Sequence, residues 1–97
     1  MEQLEFAYPA KQQLAKRAHV GVVGSGDLEV LMEPLNGDRA YVSVQTSVEG
    51  YRDTWQAVLD RFFSKYELAA RIEINDAGAT PGSVLLRLEQ AVEVSQQ

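Results

Sequence analysis

The fold is decided by residues 19–33, which read HVGVVGSGDLEVLME. Two runs rich in β-branched and apolar residues flank the letters GSGD, and glycine adopts the positive φ that a tight turn needs without steric strain. In the second run Leu28, Val30 and Met32 recur at every other position, so they point to one face of a strand. The stretch therefore predicts a β-hairpin whose turn is Gly24–Asp27.

Further strands are predicted on both sides of this hairpin. Residues 4–7 alternate in the two-residue period of a half-buried strand until Pro9 ends it. Pro34 ends the second strand of the hairpin, and the turn letters NGD at 36–38 lead into a strand at 41–46. These segments predict an antiparallel meander, and the alternation at 71–75 predicts one more strand late in the chain.

Two segments instead show the 3.6-residue period of a helix. The first has one continuous apolar stripe, formed by Trp55, Val58, Leu59, Phe62, Phe63 and Tyr66. Such a stripe indicates a helix face buried against the sheet rather than a cofactor site. Asp53 is its expected N-cap, with Gln56 completing a capping-box-like pair.

The second helix is predicted to begin at Thr80 and Pro81, which are favourable residues at the N-cap and the first helical position. Its buried stripe is Val84, Leu85, Leu88 and Val92. Two helices packed on one face of a mostly antiparallel sheet give an α+β two-layer sandwich. The number of strand-patterned segments excludes a four-helix bundle, and the length favours a single domain over residues 1–97.

Composition narrows the classes of function. The chain of 97 residues has a formal net charge of −5, so phosphate backbones repel it and nucleic-acid binding is not expected. It has no cysteine and a single histidine, which excludes disulfides, thiolate chemistry and metal sites with several histidine ligands. No membrane span or signal peptide is indicated, and a cytoplasmic location is the simplest expectation. An acidic surface suits docking on basic faces of partner proteins.

The most distinctive local feature is Ser25 between Gly24 and Gly26. No neighbouring Cβ shields the hydroxyl, so another enzyme can enclose it and modify it covalently. Asp27 and Glu29 follow at once and would offer acidic handles to such an enzyme. The plain alternative is a turn in which serine was selected for its turn propensity.

A catalytic serine is the competing hypothesis. It needs a positioned base, and His19 is the only candidate. His19 precedes Ser25 by six residues on an extended strand, and the G-x-S-x-G elbow is absent, so a packing or surface role for His19 is favoured. The dinucleotide fingerprint G-x-G-x-x-G is not met either, and no paired carboxylates suit acid–base chemistry.

The run from Val23 to Leu31, followed by Glu33-Pro34, resembles the prosthetic-group site of the malonate decarboxylase acyl carrier proteins, or delta subunits. Two further blocks carry the same resemblance, TSVEG at 46–50 and DAGATPG at 76–82, the latter followed by LRLEQA at 86–91. The order of the blocks matches over almost the whole chain. The citrate lyase acyl carrier proteins are a weaker match. The Asp-Ser-Leu motif of fatty-acid-type carriers is missing because Gly24 precedes Ser25.

The resemblance implies that Ser25 carries 2′-(5″-phosphoribosyl)-3′-dephospho-CoA in phosphodiester linkage, with Gly24, Gly26 and Asp27 as the flanking turn. It also implies a non-catalytic carrier of acetyl and malonyl thioesters. Its expected partners are the acyl transferase and decarboxylase subunits of the complex, together with a prosthetic-group transferase. A structural or binding subunit without a prosthetic group remains the alternative. In the block at 76–82, Asp76, Gly78 and Thr80 line either the base of the arm or a subunit contact, or else the block is only a capped strand-to-helix connection.

Overall fold

The computed structural model describes residues 1–97. Six strands and two helices follow one another along the chain: β1 (Glu2–Pro9), β2 (Gln12–Gln13), β3 (Ala18–Gly21), β4 (Leu28–Pro34), β5 (Arg39–Thr46), α1 (Arg52–Lys65), β6 (Leu68–Asp76) and α2 (Pro81–Ser95). The strands form one sheet in the order β1-β5-β6-β4-β3, and the short β2 pairs with β6. The predicted α+β fold, with a mostly antiparallel sheet and no helical bundle, is confirmed.

The predicted meander is wrong in two respects, because β1 pairs with β5 rather than with β3, and β4 and β5 are not neighbours. β6 lies between them, antiparallel to β4 and parallel to β5. The physical reason is the helix that separates β5 from β6 in the chain. A crossover connection of that length lets the two strands run parallel, which a short turn does not. The turn letters at 36–38 therefore carry the chain past β6 rather than closing a hairpin.

One face of the sheet is apolar and lies under both helices. Across it, Leu4, Val44, Ile74 and Val30 stand opposite one another in a single row on four neighbouring strands. All four are buried and belong to one core cluster. The alternation predicted for the hairpin and for strand 41–46 is thus confirmed, since Leu28, Val30 and Met32 of β4 and residues 42, 44 and 46 of β5 are all buried on this face.

Helix α1 buries the predicted aromatic stripe, with Phe62 only 1% exposed. The ring of Phe63 stacks on Tyr8 of β1 at 4.4 Å between centroids, which places α1 over the β1 side of the sheet. The predicted N-cap at Asp53 is wrong. The cap position is Tyr51, which makes no side-chain capping bond, and Asp53 lies inside the first turn. Its carboxylate still favours the positive end of the helix dipole there.

Helix α2 begins as the sequence predicts. Pro81 occupies the start of the helix, and the Thr80 hydroxyl accepts a hydrogen bond of 3.2 Å from the amide of Ser83. Val84, Leu88 and Val92 are buried, whereas Leu85 is only partly buried. Neither helix is long and apolar enough to cross a membrane.

The opposite face of the sheet has no helix over it, and we call it the open face. Its middle row consists of Glu5, Ser43, Glu73, Leu31 and His19, one residue from each main strand in the order of the sheet. These side chains are exposed or half-buried. Apart from Leu31, this row is polar, whereas the helix-covered face is mostly apolar, as expected for a sheet that is covered on one side only.

Candidate functional site

Ser25 lies in the loop between β3 and β4, and it is exposed. The loop is longer than the predicted turn, because β3 ends at Gly21 and residues 22–27 all lie outside the strands. Val22 and Val23, which the sequence places in a strand, are 67% and 58% exposed. Gly21 causes the early end, since its φ of +78° is not an extended conformation.

Three backbone hydrogen bonds shape this loop. Asp27 donates its amide to the carbonyl of Gly24 at 2.9 Å, which closes a turn around Ser25 and Gly26. Gly26 donates to the carbonyl of Ala77 at 2.7 Å, and Ala77 in turn donates to the carbonyl of Asp27 at 2.9 Å. The loop is thus fastened to the segment that joins β6 to α2, while the serine between the fastened residues stays exposed.

The two glycines leave the space around Ser25 open. A Cβ added at Gly24 or at Gly26 would meet no atom within 4 Å. Gly26 has a φ of +75°, a conformation that other residues adopt only under strain. Gly26 therefore has a conformational role in the turn, and both glycines keep side chains away from the hydroxyl.

Asp27 is held by Arg87 of α2 rather than offered to solvent as a free handle. The Arg87 guanidinium donates through Nη2 to Oδ2 of Asp27 at 2.8 Å and through Nε to Oδ1 at 3.3 Å. Oδ1 also accepts from the amide of Leu28 at 2.8 Å. The hydrogen bond from Arg87, helped by the one from Leu28, lowers the pKa of the Asp27 carboxyl below its ordinary value of 3.8. The pair joins the Ser25 loop to α2 in a fork geometry that lysine does not reproduce.

Glu29 and His19 lie together on the open face. Oε1 of Glu29 accepts from Nδ2 of Asn75 at 3.0 Å, and Oε2 lies 2.8 Å from Nε2 of His19. The bond from Asn75, and then that with His19, lowers the pKa of the Glu29 carboxyl. Both predicted acidic handles are therefore engaged within the chain, and the histidine has a carboxylate partner on the sheet surface.

Asp76 closes β6 and organises the next loop. It is buried, and its Oδ2 accepts from the Thr46 hydroxyl at 2.8 Å and from the amide of Gly78 at 3.2 Å. Its Oδ1 accepts from the amide of Ala79 at 3.0 Å. Together with the Thr80 cap, these bonds make the segment 76–82 a capped strand-to-helix connection, as one of the two sequence interpretations proposes.

A groove of about 270 Å³ lies between the first turns of α1 and α2, and we call it the end groove. Its lining includes Thr46, Val48, Trp55, Val58, Asp76 and Val84. The second and third sequence blocks, at 46–50 and 76–82, both contribute to its wall. The first block adjoins it, because the Ser25 loop is bonded to Ala77 between two lining residues, Asp76 and Gly78. Segments that are far apart in sequence thus meet at one end of the sheet.

Three residues of this region take part in the site without having been predicted to do so from the sequence. Arg87 clamps Asp27, Ala77 binds the loop backbone, and Gly21 ends β3. A signal existed for Arg87, because it lies three residues after Val84 on the inward side of α2. A basic residue at a position that faces the protein predicts a buried or half-buried acidic partner. Ala77 acts through its backbone, which leaves no trace in side-chain chemistry.

Comparison with known proteins identifies the family. The family described as malonate decarboxylase delta subunit (MdcD) matches residues 15–95. The malonate decarboxylase acyl carrier protein of Azotobacter vinelandii is 51% identical over 94 residues, covering 96% of this chain and 95% of that relative. The protein of the same name from Pseudomonas aeruginosa PAO1 is also 51% identical, with the same coverage.

A solved structure has the same fold. It is the crystal structure of a Pseudomonas malonate decarboxylase hetero-tetramer in complex with malonate, in which one chain matches with a TM-score of 0.93 and 50% identity. The match covers 98% of this chain and 99% of that one. Sequence and structure agree over essentially the whole length, and the chain belongs to the malonate decarboxylase delta subunit family.

Proposed function

We propose that the chain is the acyl carrier subunit of malonate decarboxylase, and that Ser25 is the attachment point of its prosthetic group. The observation that supports this most directly is an exposed hydroxyl between two glycines, in a loop whose ends are fastened to the rest of the protein. Such a residue is accessible to a modifying enzyme, and its backbone position is defined.

The residues fit a large covalent group. The open space at Gly24 and Gly26 leaves room for the phosphate that joins the arm to the serine oxygen, and the Arg87–Asp27 pair holds the loop behind it. We propose the arm to be 2′-(5″-phosphoribosyl)-3′-dephospho-CoA, as the family resemblance implies. When bound, it would supply a terminal thiol that carries acetyl and malonyl groups as thioesters while partner subunits convert malonate to acetate and CO2.

This chain's own contribution is attachment and delivery. A tether keeps the acyl group at high effective concentration near each partner site without release into solution. His19 is paired with Glu29 on the open face, which supports a surface role for it, and we propose that the chain is a non-catalytic carrier. The partners would be the acyl transferase and decarboxylase subunits, and a separate transferase would attach the arm.

The proposal is tested by the intact mass of the chain from its native host under conditions in which the whole decarboxylase is produced. We expect a mass increase equal to the arm, and fragment spectra that locate it on Ser25. The Ser25→Ala variant should stay unmodified, while its free energy of unfolding changes by no more than about 0.5 kcal/mol, as for other exposed sites. An unmodified native chain would favour the structural-subunit alternative, and an arm on another residue would contradict the site.

A further inference from the structure

The end groove lies within short reach of Ser25. Gly26, the next residue in the chain, donates its amide to the carbonyl of Ala77, and Gly78 after it lines the groove. The path from Ser25 to Gly78 has two Cα–Cα steps of about 3.8 Å along the chain and one of about 5.5 Å between the hydrogen-bonded residues. The Cα atoms of Ser25 and Gly78 therefore lie within about 13 Å of each other. A flexible group attached to the serine oxygen therefore begins beside the groove.

The lining of the groove suits a neutral, partly apolar chain. Six of its twelve residues are hydrophobic, among them Val48, Val58 and Val84. Asp76 is the acidic residue of the lining, and both of its carboxylate oxygens accept hydrogen bonds from the protein. It therefore does not need a cation as a partner. The hydroxyls of two threonines at 54 and 80 add polar groups at the first turns of the helices. Pockets of this composition bind ligands that combine methyl or methylene groups with a few hydrogen-bonding groups.

We propose that the end groove holds the pantetheine end of the arm attached to Ser25, with its acyl thioester, while the carrier moves between partner sites. This inference rests on the proposed function, because it requires an arm on Ser25. The arm fits the lining chemically, since its end alternates amides with methylene and methyl groups and carries no charge before malonyl is loaded. The groove shelters the thioester from water in the intervals between partners.

Tethering makes this binding compatible with delivery. An attached ligand experiences an effective concentration that its linker sets, high for short flexible linkers and falling as the linker lengthens, so tethering allows contacts weaker than a free ligand would need to fill the groove. The same weak contacts release the arm readily when a partner site competes for it. A shallow groove beside the attachment point serves a carrier better than a deep cavity would.

Trp55 provides the measurement, since it is the only tryptophan of the chain and it lines the groove. The unmodified and the modified chain are separated, and intact mass establishes which is which. We expect the tryptophan emission to shift when the arm is present. We also expect nuclear Overhauser contacts between the methyl groups of the arm and the indole ring of Trp55. Both signals should be absent from the unmodified chain and from Ser25→Ala.

Two matched variants separate groove binding from a general effect of modification. Val48→Asp places a charge at the rim of the groove, at a side chain that is 38% exposed and so tolerates the change. In the modified form of this variant, the emission shift and the Overhauser contacts should be lost, and the acetylated arm should hydrolyse faster. Leu86→Asp makes the same chemical change on α2 outside the groove, at a side chain 55% exposed, and should behave as wild type.

The outcomes also separate this inference from the proposed function. A chain that never acquires the arm contradicts the proposed function itself. A chain that carries the arm but shows no change at Trp55 overturns the groove inference and leaves the proposed function standing. If the Trp55 signal appears only when partner subunits are added to the unmodified chain, the groove is a protein-docking site and the inference is likewise overturned.

Discussion

Among single residues, Gly21 has the strictest requirement. Its φ is +78°, and a Cβ at this position would overlap the carbonyl oxygen of Leu28 across the start of the Ser25 loop. No rotation of a side chain relieves such an overlap, because both partners are fixed by the backbone. Gly21 therefore sets both the end of β3 and the width of the loop.

The variant Gly21→Ala should lower the free energy of unfolding by about 1–3 kcal/mol or more, since this is the range for a non-glycine residue forced into a strained backbone conformation. Urea unfolding measures the change in the free energy of unfolding. Gly24→Ala is the matched control, since its Cβ would meet nothing within 4 Å and it has no positive φ. Equal losses in the two variants would mean that the overlap at Gly21 is relieved elsewhere.

The Arg87–Asp27 pair makes a pH-dependent contribution to stability. Because Arg87 lowers the pKa of Asp27 in the folded state, the pair stabilises the fold fully above the ordinary pKa of 3.8. The contribution is lost as the pH falls through the lower, folded-state pKa. The melting temperature of Asp27→Asn should thus lie below that of wild type at neutral pH, and the gap should narrow below pH 3.8.

Thermal unfolding of both proteins between neutral pH and about pH 3 measures this effect, the pH range being set by the ordinary carboxyl pKa. The variant Glu49→Gln is the control, because Glu49 is exposed and its ion pair with the N-terminal amine of Met1 is long, at 3.5 Å. A gap between Asp27→Asn and wild type that stays constant down to pH 3 would show that the loss came from something other than the charge of Asp27.

At the scale of the elements, helix α1 is predictable from sequence except at its first residue. The spacing of Trp55, Leu59, Phe62 and Phe63 defines its buried face, and all four are buried. Asp53 looks like a cap because capping residues and first-turn acidic residues have the same chemistry. The backbone decides between the two roles, and the helix begins at Arg52, two residues earlier than an Asp53 cap would allow.

Phe62→Ala should lower the free energy of unfolding by about 3–5 kcal/mol, since the ring is 1% exposed and its removal leaves a cavity under the helix. Chemical denaturation with circular dichroism measures it. Leu86→Ala, on the exposed side of α2, should change the stability by less than about 0.5 kcal/mol. A small loss at Phe62 would contradict the burial of the α1 stripe against the sheet.

At the scale of the whole molecule, the class of fold follows from the sequence and the strand order does not. Alternation identifies the strands, and helical spacing identifies what covers them. The insertion of β6 between β4 and β5 depends on the crossover through α1, and no residue pattern in 36–46 records it. The site is likewise predictable from the sequence only in part. Ser25 and its glycines are visible as a motif, whereas the Arg87 clamp joins residues sixty positions apart.

The strand order predicts where backbone exchange is slowest. β6 is paired on both sides, with β4 and β5, and its residues 69, 70, 72 and 74 are fully or almost fully buried. Its amides should therefore exchange with solvent deuterium only through global unfolding. Hydrogen exchange read by nuclear magnetic resonance should show β6 and β5 as slowest, with β2 and the Ser25 loop among the fastest. Slower exchange in β3 than in β6 would contradict the strand order.

The acidic residues on β1 affect how copies of the protein meet. β1 pairs only with β5, so its other side is an outer edge with free amide and carbonyl groups, where a strand from a second copy would pair readily. Glu2 and Glu5 give this edge negative charge, and Pro9 at its end lacks an amide to donate. Two copies approaching edge to edge at neutral pH would bring like charges together. The strand thus resists joining sheets from separate molecules.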